Sequence, residues 1–365
     1  MKIIVNWMKS HPLVLFFSLA LVITWGLLIC ASSLLVGPAN QSDLMDVLLL
    51  HHGARLALYG PVLAGVIVTR WVTPEQNLGS ARKRWLTFGI VWIIALVVDA
   101  LGWRQENASN TGLIPLLILP ISIALIPAFI FSRAFSRFTS LRDYLSTLVH
   151  PRGHFVWYLV ALLTFPVVSL LGIVITNLLD SKPPLFNVHF APGILSATLI
   201  TFASVFFYSG GVNEEGGWRG FAQRRLQARR SPLVANLLLW VYLVVWHIPN
   251  DIVQYSGGGY LLIRIGLYPF ITILFGWVYN RTKGSILAAA LFHASMNSMN
   301  TLQAVLPSTN AGSILLVAFA VFAVLSDRMW KKLPSDHPAV YRSPEQAAQP
   351  SGEEEREVDA LCPRH

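Results

Sequence analysis

Of the 365 residues, 54% are hydrophobic and only 12% are charged, against roughly a quarter charged in ordinary soluble domains, so lipid is the expected solvent. The formal charge of +9 does not indicate nucleic acid, because Lys and Arg fall in short clusters between apolar runs rather than along one amphipathic face. Two cysteines, Cys30 in an apolar run and Cys362 near the end, exclude a disulfide framework and a four-cysteine metal site.

Lys2 and Lys9 precede an uncharged stretch from Leu13 to Val36 that is longer than a signal-peptide core and reads as a retained first span. A helix crosses the hydrocarbon layer with roughly 20 apolar residues. On that measure further spans are expected near 56–72, 85–103, 112–132, 155–179, 193–213, 232–249, 260–279, 284–305 and 312–326. The one at 56–72 is the weakest, being bracketed by Arg55 and Arg70. The expected fold is an all-α polytopic membrane bundle of about ten helices, eight at the least.

Cytoplasmic loops are enriched in Lys and Arg, and the basic clusters alternate accordingly. Lys2/Lys9 precede the first span, and Arg82-Lys83-Arg84, Arg133/Arg137/Arg142, Arg224/Arg225/Arg229/Arg230, Arg281/Lys283 and Arg328/Lys331/Lys332 follow every second span. Loops with Asp43/Asp46, Glu106, Asp180 and Asp251 fall between them, which places both termini in the cytoplasm. From Leu333 the chain turns polar, with Pro334, Pro344, Pro350 and Glu353-Glu354-Glu355, and 333–365 reads as a disordered tail. Its last residues, Cys362-Pro363-Arg364-His365, lack the aliphatic pair of a prenylation signal. The organisation is therefore N-terminal helices over 1–192, a core over 193–300, a last helix within 301–332 and the tail.

A charge at the bilayer centre costs at least ~2.5–3.5 kcal/mol, so ionisable residues within spans are candidates for function. The first such place is Asn213-Glu214-Glu215-Gly216-Gly217-Trp218-Arg219-Gly220. If the segment stays helical, Glu214 lies ~15 Å in from the boundary at Arg224. Glu215 and Arg219, four apart, can pair on one face and leave Glu214 pointing elsewhere; Gly216-Gly217 leaves a wet loop open as the alternative. The other two places are His247, in Trp246-His247-Ile248-Pro249, and His293 with Asn297 four residues on. Counting from Lys283 sets His293 ~15 Å deep, and counting from Ser231 sets His247 ~24 Å deep, on the outer side.

Withdrawn from water, a carboxylate is a stronger base, suited to taking a proton from a water nucleophile. A neighbouring histidine can share that proton, and His293 with the Asn297 amide can donate to the oxyanion formed on a peptide carbonyl. The same groups, His247, His293 and Glu214, could instead hold zinc with one position open, and the residues do not choose between these readings.

Glu214-Glu215-x-x-x-Arg219, an apolar run ending in His247, and His293-x-x-x-Asn297 together resemble the signature of the CPBP intramembrane proteases, which include type II CAAX prenyl endopeptidases and bacteriocin-processing or self-immunity proteins. The similarity extends to Gly217–Phe221, Arg225-Leu226-Gln227, Ser231–Ala235 and Asn280-Arg281-Thr282 before Ser285-Ile286-Leu287, and covers about 193–300. One departure is Leu243, where the family often has Phe. The resemblance implies an endopeptidase in a bacterial plasma membrane, acting on a membrane-associated peptide such as a lipidated C-terminus or a leader. It makes Glu214 the base, His247 its partner, His293 and Asn297 the oxyanion donors, and Glu215 and Arg219 the groups that hold the site together. A non-catalytic immunity or regulatory protein that binds through the same polar cluster is the alternative. A transporter is disfavoured, since no matching interrupted segments occur in the two halves.

Elsewhere, Asp99 reads as interfacial and His51-His52 as loop, and Gly257-Gly258-Gly259 as a loop between spans. Trp71, Trp85, Trp103 and Trp277 read as an interfacial aromatic belt.

Overall fold

The computed structural model describes residues 7, 10–33, 53–72, 82–106, 121, 123–132, 144, 145, 147, 148, 150–179, 193–254, 259–303, 305 and 307–343. All regular structure among them is helical, as an apolar solvent demands: helices satisfy their own backbone N–H and C=O groups where no water can. The elements are α1 (Pro12–Ser33), α2 (Gly60–Val72), α3 (Arg82–Glu106), α4 (Leu125–Ser132), α5 (Val156–Leu179) and α6 (Ile194–Tyr208). There follow α7 (Val212–Gly217), a π-helical stretch (Trp218–Gln223), α8 (Arg224–Gln227), α9 (Pro232–Gln254), α10 (Gly259–Gly266), α11 (Tyr268–Arg281), α12 (Ile286–Leu302) and α13 (Asn310–Ser326).

Five described segments are long and apolar enough to cross a membrane: Pro12–Cys30, Arg84–Gln105, Val156–Leu179, Ile194–Gln227 and Pro232–Ile252. Asn310–Ser326 is a shorter apolar helix. Their outer faces present Leu86, Ile93, Leu195, Leu199 and Phe322 outward, which in water would be an aggregation hazard and in lipid is ordinary solvation. The chain is an all-α polytopic membrane protein.

Several expected spans differ in detail. The sixth is interrupted at 209–211 and resumes as α7, and the eighth is divided at Leu267 into α10 and α11. The seventh does not end at Pro249; α9 carries that proline inside its final turns and continues to Gln254. Of the fourth, Leu125–Ser132 is regular helix. The markers Lys2/Lys9, Asp43/Asp46, Arg133/Arg137/Arg142 and Asp180, together with His51-His52, Gly257-Gly258 and 344–365, lie outside the described residues.

Two apolar clusters form the core. One joins Phe16, Tyr59, Val62, Tyr208, Trp218 and Phe221 across α1, α2, α6, α7 and the π stretch. The other joins Phe165, Phe275, Trp277, Phe292 and Leu316 across α5, α11, α12 and α13. Helix α12 supplies side chains to both, and the functional residues lie where the clusters meet.

Four readings from sequence are corrected here. Asp99 is not interfacial: it is wholly buried and ion-paired with Arg55, so the arginine that weakened the second span is neutralised internally. Trp103 and Trp277 are buried rather than in a belt; Trp277 packs edge-on against Trp157 and Phe319. Asp251 is not a loop marker but a buried residue of α9. Disorder does not begin at Leu333. Over 333–343 the chain lies on the end of the site helix, where the Tyr341 N–H donates to the Arg224 carbonyl at 3.0 Å. Arg225 stacks on the Tyr341 ring at 4.0 Å, and Gln227 donates to the Ala339 carbonyl. These contacts satisfy polar groups that the composition of the segment had suggested would stay in water.

Candidate active site

The site begins with a break in the chain. Helix α6 stops at Tyr208, Gly210 adopts a φ of +125°, and Asn213 ties the turn together. Its Oδ1 accepts from the Gly210 N–H at 2.9 Å, and its Nδ2 donates to the carbonyls of Tyr208 and Leu58, both at 3.2 Å. Helix α7 then restarts with both glutamates in its first turn. A loop at Gly216-Gly217 is excluded: both residues are helical, and Gly217 lies so close to α2 that a Cβ there would sit 2.4 Å from the Pro61 carbonyl carbon. The Tyr144 hydroxyl donates to the Gly216 carbonyl at 2.6 Å. Gly217 lets the two backbones touch, and Gly216 makes room for the Val62 side chain.

Glu215 is the hub. Its Oε1 meets His293 Nδ1 at 2.8 Å, and Arg219 Nη1 lies 3.1 Å from its Oε2. The pairing expected from their four-residue spacing therefore forms, with both side chains buried. Phe275 of α11 closes the assembly, with the Arg219 guanidinium 4.6 Å above its ring and the His293 ring edge-on at 5.4 Å. Asn297, one turn beyond His293, donates to the Ser209 carbonyl at 3.3 Å. On α9, His247 Nδ1 lies 2.7 Å from the Leu243 carbonyl, and Trp246 donates to the Thr24 hydroxyl at 2.9 Å, fixing this turn to α1.

Glu214, His247, His293 and Asn297 line one cavity of about 270 Å³, together with Glu215, Arg219, Asn250, Arg264, Tyr268 and Asn300. The structure thus brings together all six residues singled out from sequence. Glu214 is buried and lies within electrostatic reach of His293, Glu215, Arg264 and Arg219. Because a carbonyl only accepts, the hydrogen between His247 and Leu243 belongs to Nδ1, so the neutral ring keeps its lone pair on Nε2. His293 gives its Nδ1 hydrogen to Glu215, so its Nε2 donates when the ring carries both protons. Among the described residues no three His, Cys, Asp or Glu side chains gather as a metal ligand set requires, so the zinc alternative finds no three-ligand site there.

Residues 195–299 match the sequence model of the type II CAAX prenyl endopeptidase Rce1-like family. A protein described as CAAX prenyl protease 2, from Methanococcus maripaludis, is 29% identical over 192 residues, covering 48% of this chain and 70% of its own length. Over this stretch the chain is similar to these proteases, which supports a protease of the CPBP type. The matched stretch runs from α6 to α12 and contains every residue of the hub. Two elements of this core escaped the sequence reading. Asn213 looked like an ordinary polar neighbour of the glutamates, and only the break it spans gives it work. Arg264, a lone cation inside an expected span, carried the same depth signal as Glu214 and pairs with Asp251.

Proposed function

We propose that this protein is an intramembrane endopeptidase hydrolysing a peptide bond in a membrane-associated substrate, with a CAAX-type C-terminus as the substrate class suggested by the name of its methanococcal relative. Glu214 takes a proton from water, whose oxygen attacks the scissile carbonyl carbon. His247 Nε2 accepts a hydrogen bond from the same water and orients it. The oxyanion receives hydrogen bonds from His293 Nε2 and from the second N–H of the Asn297 amide. Collapse of the tetrahedral species breaks the C–N bond, and Glu214 returns its proton to the leaving amine. Glu215 and Arg219 position His293. The site operates in a bacterial plasma membrane, with both termini in the cytoplasm.

The observation that carries this reading is that Glu214, His247, His293 and Asn297 line a single cavity within the segment matched to the protease family. Purified protein with a lipidated peptide tests it. Cleavage that disappears in Glu214→Gln and His293→Ala, with thermal unfolding retained, supports hydrolysis. A cellular effect that survives both substitutions supports the non-catalytic immunity or regulatory reading instead. Zinc measured in wild type beside His247→Ala addresses the metal: stoichiometric zinc lost with the substitution would overturn the metal-free route.

A further inference from the structure

Two sides of the site hang on one short stretch of chain that lies outside residues 195–299. Pro61, in the first turn of α2, has no N–H to offer the Ala57 carbonyl four residues back. The Thr24 hydroxyl of α1 donates to that carbonyl instead, at 2.8 Å. A threonine inside a helix ordinarily returns its hydrogen to its own preceding turn, so this bond commits α1 to the start of α2. Gly60 makes room for it: a Cβ there would lie 2.1 Å from the Thr24 oxygen. The next carbonyl, that of Leu58, accepts from Asn213 beside Glu214.

The same hydroxyl reaches His247. Having given its hydrogen to Ala57, Thr24 Oγ1 keeps its lone pairs for the Trp246 indole N–H, 2.9 Å away. The Trp246 ring in turn packs edge-on against the His247 ring, with centroids 4.6 Å apart. Thr24, Ala57 and Trp246 are all buried, where no water can replace a lost partner. Pro249 removes the hydrogen bond that would close this turn of α9 onto the Val245 carbonyl, and Trp25 of α1 donates to the adjoining Trp246 carbonyl at 3.3 Å. The turn that carries His247 is thus held from α1 where its own helix is weakest. Packing alone calls for no hydroxyl at residue 24, since valine has the same branched shape.

From these observations, and resting on the endopeptidase reading above, we infer that Thr24 is a positioning residue: acting through Trp246, it sets His247 against the reacting water and ties it to the stretch of chain that holds Asn213 beside Glu214.

The test uses the full chain in detergent with a lipidated peptide, at a temperature below the unfolding of every variant. Thr24→Val keeps the branched shape and removes the hydroxyl. It should lower kcat by roughly 10- to 100-fold, the upper figure being that of a 1 Å misplacement, with KM little changed. Thr24→Ser, which keeps the hydroxyl, should recover most of that loss. Trp246→Phe should lower kcat alike, and adding Thr24→Val to it should lower kcat little further, because both changes cut one link. Gly172→Ala controls for loosening alone: its Cβ would lie 2.6 Å from the Gly312 nitrogen, between α5 and α13, so it should lower Tm and keep kcat. A Thr24→Val variant within a few-fold of wild type, a loss carried by KM, a serine variant as impaired as the valine one, or losses that simply multiply in the double variant overturn the positioning role while leaving hydrolysis standing. An equal fall of kcat in Gly172→Ala does the same. No cleavage by wild type overturns the endopeptidase reading and this inference with it.

Discussion

Replacing Gly210 by alanine probes the geometry on which the site depends. At this position φ is +125°, and an added Cβ would lie 2.3 Å from His293 Nε2, where ordinary van der Waals contact begins at 3.4 Å. The imidazole, anchored through Nδ1 to Glu215, must therefore retreat by about 1 Å, or the turn must shift and loosen the Gly210–Asn213 hydrogen bond. A non-glycine residue in such a backbone region costs of order 1–3 kcal/mol, so Tm should fall. A 1 Å misplacement of a reacting group costs ~10²-fold in rate, equivalent to ~2.7 kcal/mol of barrier. Gly210→Ala is expected to lower kcat by about that factor with KM little changed, read by peptide cleavage beside thermal unfolding. Turnover within a few-fold of wild type in the alanine variant would refute the placement of His293 at the reaction centre.

Glu215→Gln removes the counter-charge of buried Arg219 and the partner of His293; breaking a buried pair costs ~3–5 kcal/mol, so unfolding measurements should show a large loss that Glu214→Gln does not share. Gly217→Ala should destabilise by ~1–3 kcal/mol because its Cβ would meet the Pro61 backbone, whereas Gly26→Ala in α1, with nothing within 4 Å of the added carbon, should not. Equal Tm values for the two would contradict the close approach of α7 and α2. His337 accepts from the Ala339 N–H through Nδ1 at 3.1 Å, and burial, aided by Lys283 and opposed by Asp336, holds its pKa below the usual histidine value. With the folded value depressed, the docking of 333–343 is fully present above pH ~6.5 and weakens as the pH falls through that value. Hydrogen exchange at Tyr341, corrected for its intrinsic rate, should be faster at about pH 5 than at about pH 7, and unchanged protection would remove His337 from the account.

The hub was legible because its components obey simple spacing rules. Glu215 and Arg219 are one helical turn apart, as are His293 and Asn297, and equal counts from basic boundaries set Glu214 and His293 at one depth. What could not be read was anything decided by a tertiary partner. Asp99 near a span end looks interfacial until Arg55, 44 residues earlier, proves to face it. Asp251 looks like loop because Pro249 suggests a helix end, yet α9 continues and delivers the carboxylate to Arg264. Gly216-Gly217 reads equally as a flexible loop or a close contact, and only the position of Pro61 decides. The polar composition of 333–343 gave no hint that Ala339 and Val340 would be buried.

The π-helical stretch at Trp218–Gln223 has a consequence for how this fold can vary. A π turn accommodates one residue more than an α turn, and each residue turns an α-helix by about 100°. The extra residue is absorbed without adding to the turn, so deleting a single residue there would let the segment relax to regular α-helix while Glu214 and Glu215 keep their direction relative to Arg225. A one-residue deletion within those six positions that spares Arg219 is therefore expected to keep the acids in the cavity, while a second deletion, which turns the remaining helix by about 100°, is expected to abolish activity.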